Sequence, residues 1–532
     1  MKKLKSLSLL LFGFAFIFVA CSDDDDHDPM PPVVAIENIS NKIAMPQGES
    51  LSFKANIKSA LSSSFKWMLD GVQASTDSTY VFTTDNIGEY TIMLVCENAD
   101  GQANATVEIS VYDKSEIFIE NLSGETAMAQ GESLSFKANI KTTLSTSSFK
   151  WMLDDEEVST DSTYVFSTDE MGNYTIALIY QDADGEKKAT VDVSVYGQFK
   201  NGVFVLNEGN MTSENGSLIF ISPSGKVMDK AYFTINGMGL GNSTQDLFIG
   251  NGKMYIIAQN GKTSTGDNEG KLVIADAETL KKEASYNDEL STLSWPTHIA
   301  AIGDHAFIRD NNGIYIFNTT TKSISFINGT KGALKNRMAV ANNKVFAPAS
   351  KSVLVLESGN NEVVHKIEFD ATVSGVIKSS DGNIWVSTTG SPQKIMKVNS
   401  SNYSIIQTNE MPAEAKLGAG WGATPGISAK GDTLYFSNAG TNIYRHIFNQ
   451  NKTDFMVDVK TMVDDANTVY NNLGVHPVTG EVYFNTIKGY GTNYLINNIS
   501  VFNFEESVPK LSANYKDYTH FPAGIFFTDY FK

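Results

Sequence analysis

Only three of the 41 basic residues in this 532-residue chain are arginines: Arg309, Arg337 and Arg445. A guanidinium presents a planar fork of five donors, a geometry suited to carboxylates, phosphates and amides. Large aromatics stand in glycine-rich or loop-like stretches near them. Trp295 precedes Pro296, Trp421 sits within Gly418-Ala419-Gly420-Trp421-Gly422, and Tyr490, Tyr494, Tyr515 and Tyr518 follow towards the C-terminus. Rings on loops give rigid contact area at low entropic cost, although each can also simply cap a strand. The chemistry these residue types imply is ligand binding rather than bond making.

Motifs for catalysis are missing. The sequence holds no G-x-S-x-G elbow, no H-E-x-x-H, no paired CxxC and no phosphate loop. Its seven histidines, His27, His298, His305, His365, His446, His476 and His520, form no local metal-spacing cluster. His298, His476 and His520 read as belonging near one level of inner strands. There they could gather a metal, or satisfy one another and channel water. No catalytic residue, metal or cofactor is assigned, and the chain is read as not an enzyme. A formal charge of −19 excludes nucleic acid as a partner, since phosphate binding needs basic surface.

The elements that would position Arg309, Arg337 and the aromatics begin near residue 198. Seven runs read as the second strand of a blade: Val203-Asn207, Met254-Ile257, Ala306-Ile308, Val345-Ala347, Ile384-Ser387, Leu434-Ser437 and Val482-Asn485. A third strand follows each, and an innermost strand is expected near Gln245, Thr297, Arg337, Ser374, Gly426, Leu473 and Ala523. Repeats of this length are those of four-stranded propeller blades. The last copy, Thr519-His520-Phe521-Pro522-Ala523-Gly524-Ile525-Phe526-Phe527, has no second strand after it, while Val203-Asn207 has no inner strand before it. The two halves are expected to pair and close a seven-bladed ring over residues 198–532. The turns after the inner strands are short, as at Asn251-Gly252 and Asn342-Asn343. Those after the second strands and between blades are long, including 207–216, 258–270, 285–297, 412–424 and 485–498. Long loops carry function more often than trimmed ones, so the ligand is expected on the long-loop face. Arg309, at the end of a second strand, and Arg337, at the start of an inner strand, are both expected there.

The N-terminal part reads differently. Residues 1–20 have the basic start, apolar run and small final residue of a secretory signal. Phe18-Val19-Ala20-Cys21 resembles a bacterial lipobox, so Cys21 is expected to be lipidated and to anchor the chain without spanning the bilayer. An acidic, proline-containing tether fills 21–33; its Ser22-Asp23-Asp24-Asp25-Asp26 resembles a surface-export signal, or else is a solvated linker. Residues 34–112 and 113–197 are an internal duplication: Gln47 to Lys58 recurs unchanged as Gln130 to Lys141. The alternation and turns within each copy are those of an antiparallel sandwich, with Trp67 and Trp151 as core plugs. The pair resembles tandem Ig-like or PKD-like modules used as spacers. Cys96, opposite Tyr180 in the other copy, is expected to be a buried free thiol. The fold class is therefore all-β: two sandwiches followed by a seven-bladed propeller.

Gly202-Val203-Phe204-Val205-Leu206-Asn207-Glu208-Gly209-Asn210, Gly216-Ser217-Leu218-Ile219-Phe220 and the closing Phe521-Pro522-Ala523-Gly524-Ile525-Phe526 resemble YncE-like propellers of Bacteroidota surface lipoproteins. That resemblance implies an outer-membrane lipoprotein facing the cell exterior. It also implies cobalamin as a transported ligand, handed to a TonB-dependent transporter. Trp295, Arg309, Arg337, Trp421, Tyr490, Tyr494 and Tyr518 are the residues expected to hold the ligand. A non-catalytic adhesion protein for a glycan or protein partner is the alternative.

Overall fold

The computed structural model describes residues 30–142, 148–182, 185–263, 266–418, 426–437, 440–506 and 508–528. The signal, Cys21, most of the acidic tether and Trp421 lie outside the described residues. The chain divides into two compact units. One comprises Leu134–Phe166, Tyr174–Asp192 and the described residues up to Glu125; the other comprises Thr126–Ser133, Ser167–Asn173 and everything described from Val193 onward.

In the first unit, strands Val33–Asn38, Ser50–Lys58 and Thr79–Thr83 form one sheet. Ala44–Pro46, Ser63–Leu69, Val72–Ser75, Gly88–Asn98 and Gly101–Tyr112 form a second. Trp67 is fully buried between them, stacks on Tyr80 at 5.7 Å and donates its indole N–H to the Asp77 carbonyl at 2.9 Å. A buried Trp needs such a partner, because an unmade hydrogen bond in a core is costly. The second copy repeats the strand order, with Trp151 donating to Asp161 in the same way. Cys96 is buried and unpaired, as expected.

Among its described residues, the second unit contains seven four-stranded antiparallel sheets. Their inner strands are Pro522–Phe527, Asn242–Gly250, His298–Ile302, Ala339–Ala341, Val373–Lys378, Ile427–Lys430 and Thr468–Val475, in blades one to seven. Alternation along each strand explains how blades join. In Val203–Asn207, Val203 and Val205 face a buried cluster shared with Tyr483 and Ile499 of blade seven, while Phe204 and Leu206 face one shared with Leu247 and Met254 of blade two. Corresponding clusters fill the other five interfaces. Each buried Leu, Ile, Val or Phe contributes about 1.5–3 kcal/mol, so the interfaces carry the stability of the ring.

Closure follows the expected pairing. Val203 stands opposite Phe527, Val205 opposite Ile525 and Leu206 opposite Gly524. Asn207, fully buried, donates to Ser217 Oγ and the Tyr518 carbonyl and accepts from the His520 amide at 3.0 Å. Inner strands enter from the long-loop side and leave through short turns. At Asn342-Asn343 both residues have positive φ, 48° and 56°, matching the twist of a tight hairpin.

Candidate functional site

The axis of the ring is bridged near its long-loop end. Arg337, two residues before the inner strand of blade four, reaches Asp246 on the inner strand of blade two, with Nε 2.8 Å from Oδ1. Its Nη2 donates to the Ala523 carbonyl of blade one at 3.2 Å, and the guanidinium lies 4.0 Å from the centre of the Phe526 ring. The other Asp246 oxygen accepts from the Ile299 amide of blade three at 3.2 Å. One ion pair therefore ties four blades. Gly524 makes this possible: a Cβ there would stand 1.7 Å from Arg337 Nη2. The Asp246 side chain is 2% exposed. Burial pushes its carboxyl up to about 6 even though Arg337 and backbone N–H groups favour the charged form. From this bridge a cavity of about 500 Å³ runs to the short-turn face, where Asn251 and Pro477 edge it.

Above the bridge the axial mouth is polar. Glu208, directly after the second strand of blade one, accepts from the Tyr470 hydroxyl of blade seven at 3.0 Å. Burial raises the Glu208 carboxyl, opposed by the charge of Lys335 and by hydrogen bonds from Tyr470 and Gln245. Gln259 donates to Gln245 at 3.2 Å. Several buried polar atoms at this end have no hydrogen-bond partner among the described residues, including Asn336 Oδ1, Asn485 Oδ1, Thr486 Oγ1 and Thr519 Oγ1. Hydrogen-bonding capacity is thus concentrated at the mouth, where a carboxylate, amides and hydroxyls converge.

On the long-loop face as a whole the surface is apolar in patches, at the mouth and away from it. Among the described residues, twelve large hydrophobics of the propeller are exposed, and seven of them lie in the second-to-third-strand or blade-to-blade connections: Met211, Phe233, Trp295, Met462, Tyr490, Leu495 and Ile496. Only Val478 and Val508 lie in the short turns opposite. The expectation of an elaborated face thus has a chemical counterpart.

The individual residues divide. Trp295 and Tyr490 are 50% and 56% exposed, as a ligand-contacting residue requires. Tyr494 is half-buried and stacks on Phe521 at 4.2 Å, and Tyr518 packs on the blade seven–blade one core. Both arginines are used inside the ring. Arg309 donates to the Ala333 carbonyl through Nε and Nη2 and to Thr297 Oγ1 through Nη1, at 3.2–3.3 Å. Arg337 serves the axial bridge and lines the cavity of the opposite face. The histidines are not gathered. His298 is buried beside Thr297, His476 accepts two backbone N–H groups in a short turn, and His520 pairs with Glu214 at 2.9 Å. His298 opens its inner strand, whereas His520 precedes Pro522–Phe527, so the two do not share the one level expected of them. Glu208, Gln245, Asp246 and Tyr470 were not singled out from sequence. The only local hint was a polar Asn207-Glu208 step ending an apolar strand.

Comparison with known proteins gives family rather than activity. The DUF5074 pattern, described as a domain of unknown function, matches residues 201–528, and a PKD-like domain pattern matches 31–98 and 121–182. No curated protein matches the chain. Among solved structures it is similar to a quinonprotein alcohol dehydrogenase-like protein from Bacteroides thetaiotaomicron, at 16% identity and a TM-score of 0.44, covering 77% of this chain and 99% of that one. It is also similar to fibronectin(III)-like modules of CbhA from Clostridium thermocellum, at 17% identity and a TM-score of 0.21, covering 30% and 95%.

Proposed function

Because the chain belongs to the DUF5074 family through residues 201–528, we propose that its propeller is a non-catalytic capture module. It holds a ligand over the axial mouth on the long-loop face, with the PKD-like repeats as a spacer. Lipid on Cys21 tethers the chain at the outer membrane, facing the cell exterior. The observation that supports this most is the asymmetry of the faces: exposed Trp295, Tyr490, Leu495 and Ile496 belong to the loops around a mouth where Glu208, Gln245, Gln259 and Tyr470 converge. Binding sites combine apolar contact area with a few such polar groups.

The ligand is a corrinoid, with cobalamin the specific candidate, and the receiver is a TonB-dependent transporter. This assignment rests on the YncE-like resemblance of the strands around Val203–Asn207 and Pro522–Phe527. The chemistry is compatible, since a corrin offers a broad apolar ring bordered by amides, which the mouth can pair. Tethering beside a transporter raises the effective ligand concentration there. Calorimetric titration of the full chain with cyanocobalamin tests the reading. Stoichiometric binding that Trp295→Ala with Tyr490→Ala weakens at least tenfold, with Phe455→Ala neutral, is expected. No heat from cyanocobalamin, or binding indifferent to both loop aromatics, refutes it.

A further inference from the structure

A second concavity lies at the rim between blades one and two, lined by different residues from the axial mouth. It has a volume of about 270 Å³. Its floor is apolar, made by Leu218, Tyr232 and Leu240, each at most 1% exposed. One wall is Phe233, 52% exposed although its helix neighbours Ala231 and Tyr232 are fully buried. The rim is polar. Asn215 donates to Asp267 at 3.5 Å and accepts from Asn268 at 3.0 Å, and Glu214 is held by His520 at 2.9 Å. Lys230 completes the lining and forms no ion pair with any described residue.

These groups restrict the occupant. A purely apolar ligand would take water from the Glu214 and Asp267 carboxylates and return no hydrogen bond of its own, which is unfavourable even though His520 and Asn215 hold them in part. An anion would meet both carboxylates. A macrocycle exceeds the volume, which is at the small end of ligand sites. A single saturated ring with a C–H face and an equatorial edge of hydroxyls satisfies all of them. The C–H face packs on Phe233 and the floor; the hydroxyls donate to Glu214 and Asp267 and accept from Lys230 and the Asn215 amide.

We propose that this cleft is a carbohydrate subsite that takes one pyranose ring, a terminal sugar of a surface glycan. It does not depend on capture of a corrinoid at the axial mouth. The test is saturation-transfer NMR and titration of the full chain with methyl glycosides of glucose, galactose, mannose, fucose and N-acetylglucosamine. At least one is expected to bind with a Kd on the order of 1 mM, the affinity of a small polar contact set. Phe233→Ala should weaken it at least tenfold and Asp267→Asn severalfold, while Phe455→Ala, an exposed aromatic on an outer strand of blade six, changes nothing. Because Phe233 is half exposed, its loss should not unfold the ring, which an unchanged melting temperature verifies. Absence of transfer from all five sugars at about ten times that concentration overturns the proposal. So does binding that Phe233→Ala leaves intact. Cyanocobalamin binding by Phe233→Ala should equal that of the parent, which separates failure here from failure at the mouth.

Discussion

Replacing Arg337 by Gln removes the cation from the axis while Asp246 stays buried. Breaking one side of a buried ion pair costs about 3–5 kcal/mol, because the remaining charge keeps its desolvation penalty. The contact with Phe526 at 4.0 Å and the bond to the Ala523 carbonyl are lost as well. Taking about 4 kcal/mol and roughly 2 °C per kcal/mol, the low end for domains of 150–250 residues, the propeller transition should fall by about 8 °C at pH 7.5 in scanning calorimetry. Pairing Arg337→Met with Asp246→Asn should recover most of this. No charge is then stranded, and the Ile299 amide, 3.2 Å from Asp246 in the parent, keeps an acceptor. The pH dependence has a definite sign. Burial raises the Asp246 carboxyl to about 6, above its unfolded value near ~3.9. Its contribution to stability is therefore complete below about pH 4 and lost as pH rises through 6, on the order of 3 kcal/mol for two units. Without Arg337 the carboxyl rises further, so the deficit of Arg337→Gln should shrink between pH 7.5 and pH 5. A loss below about 1 kcal/mol, typical of exposed pairs, or a double variant no better than the single, would refute the reasoning.

Gly524→Ala places a methyl 1.7 Å from Arg337 Nη2; overpacking of about 1–3 kcal/mol or more is expected as a lower melting temperature. Asn207→Ala leaves the His520 amide without its acceptor, costing about 1–3 kcal/mol, and faster hydrogen exchange at His520 and Gly209 should report it. His446 is fully buried between Asn409 and Thr453, and burial lowers its pKa to about 4. Its imidazole resonances should not titrate above pH 5. The stability it contributes is present above pH ~6.5 and lost as pH falls towards 4.

What could be read in advance was whatever repeats locally. Val203-Phe204-Val205-Leu206 alternates because each strand face meets a different neighbouring blade, and Asn342-Asn343 announces its turn by residue type alone. The inner strand of blade seven was expected near Leu473 but starts at Thr468, because an irregularity in pairing between Val469 and Leu473 hides its first residues from a simple period. The site was less legible. Arg337 stands out by its rarity, yet its partner lies 91 residues away inside Thr244-Gln245-Asp246-Leu247, which reads only as the entry to an inner strand. Glu208 and Tyr470 are 262 residues apart. Ring closure brings such residues together, and no local pattern records separations of that kind. The shared Thr-His of Thr297-His298 and Thr519-His520 misled in the opposite way, since similar letters fall at different strand positions.

The pairing of Val203–Asn207 with Pro522–Phe527 also sets a schedule. Asn201 and Thr528, which bond beside it, are 327 positions apart. The first blade is therefore completed only once a strand from the far end of the propeller has arrived. Until then Val203–Asn207 offers a bare apolar edge of the kind that recruits foreign strands. Loss of Pro522–Phe527 would leave that edge permanently open. Chains that lack Pro522–Phe527 are therefore predicted to be aggregation-prone and readily cleared by proteases, so a strand more than three hundred residues downstream decides whether the first blade is protected.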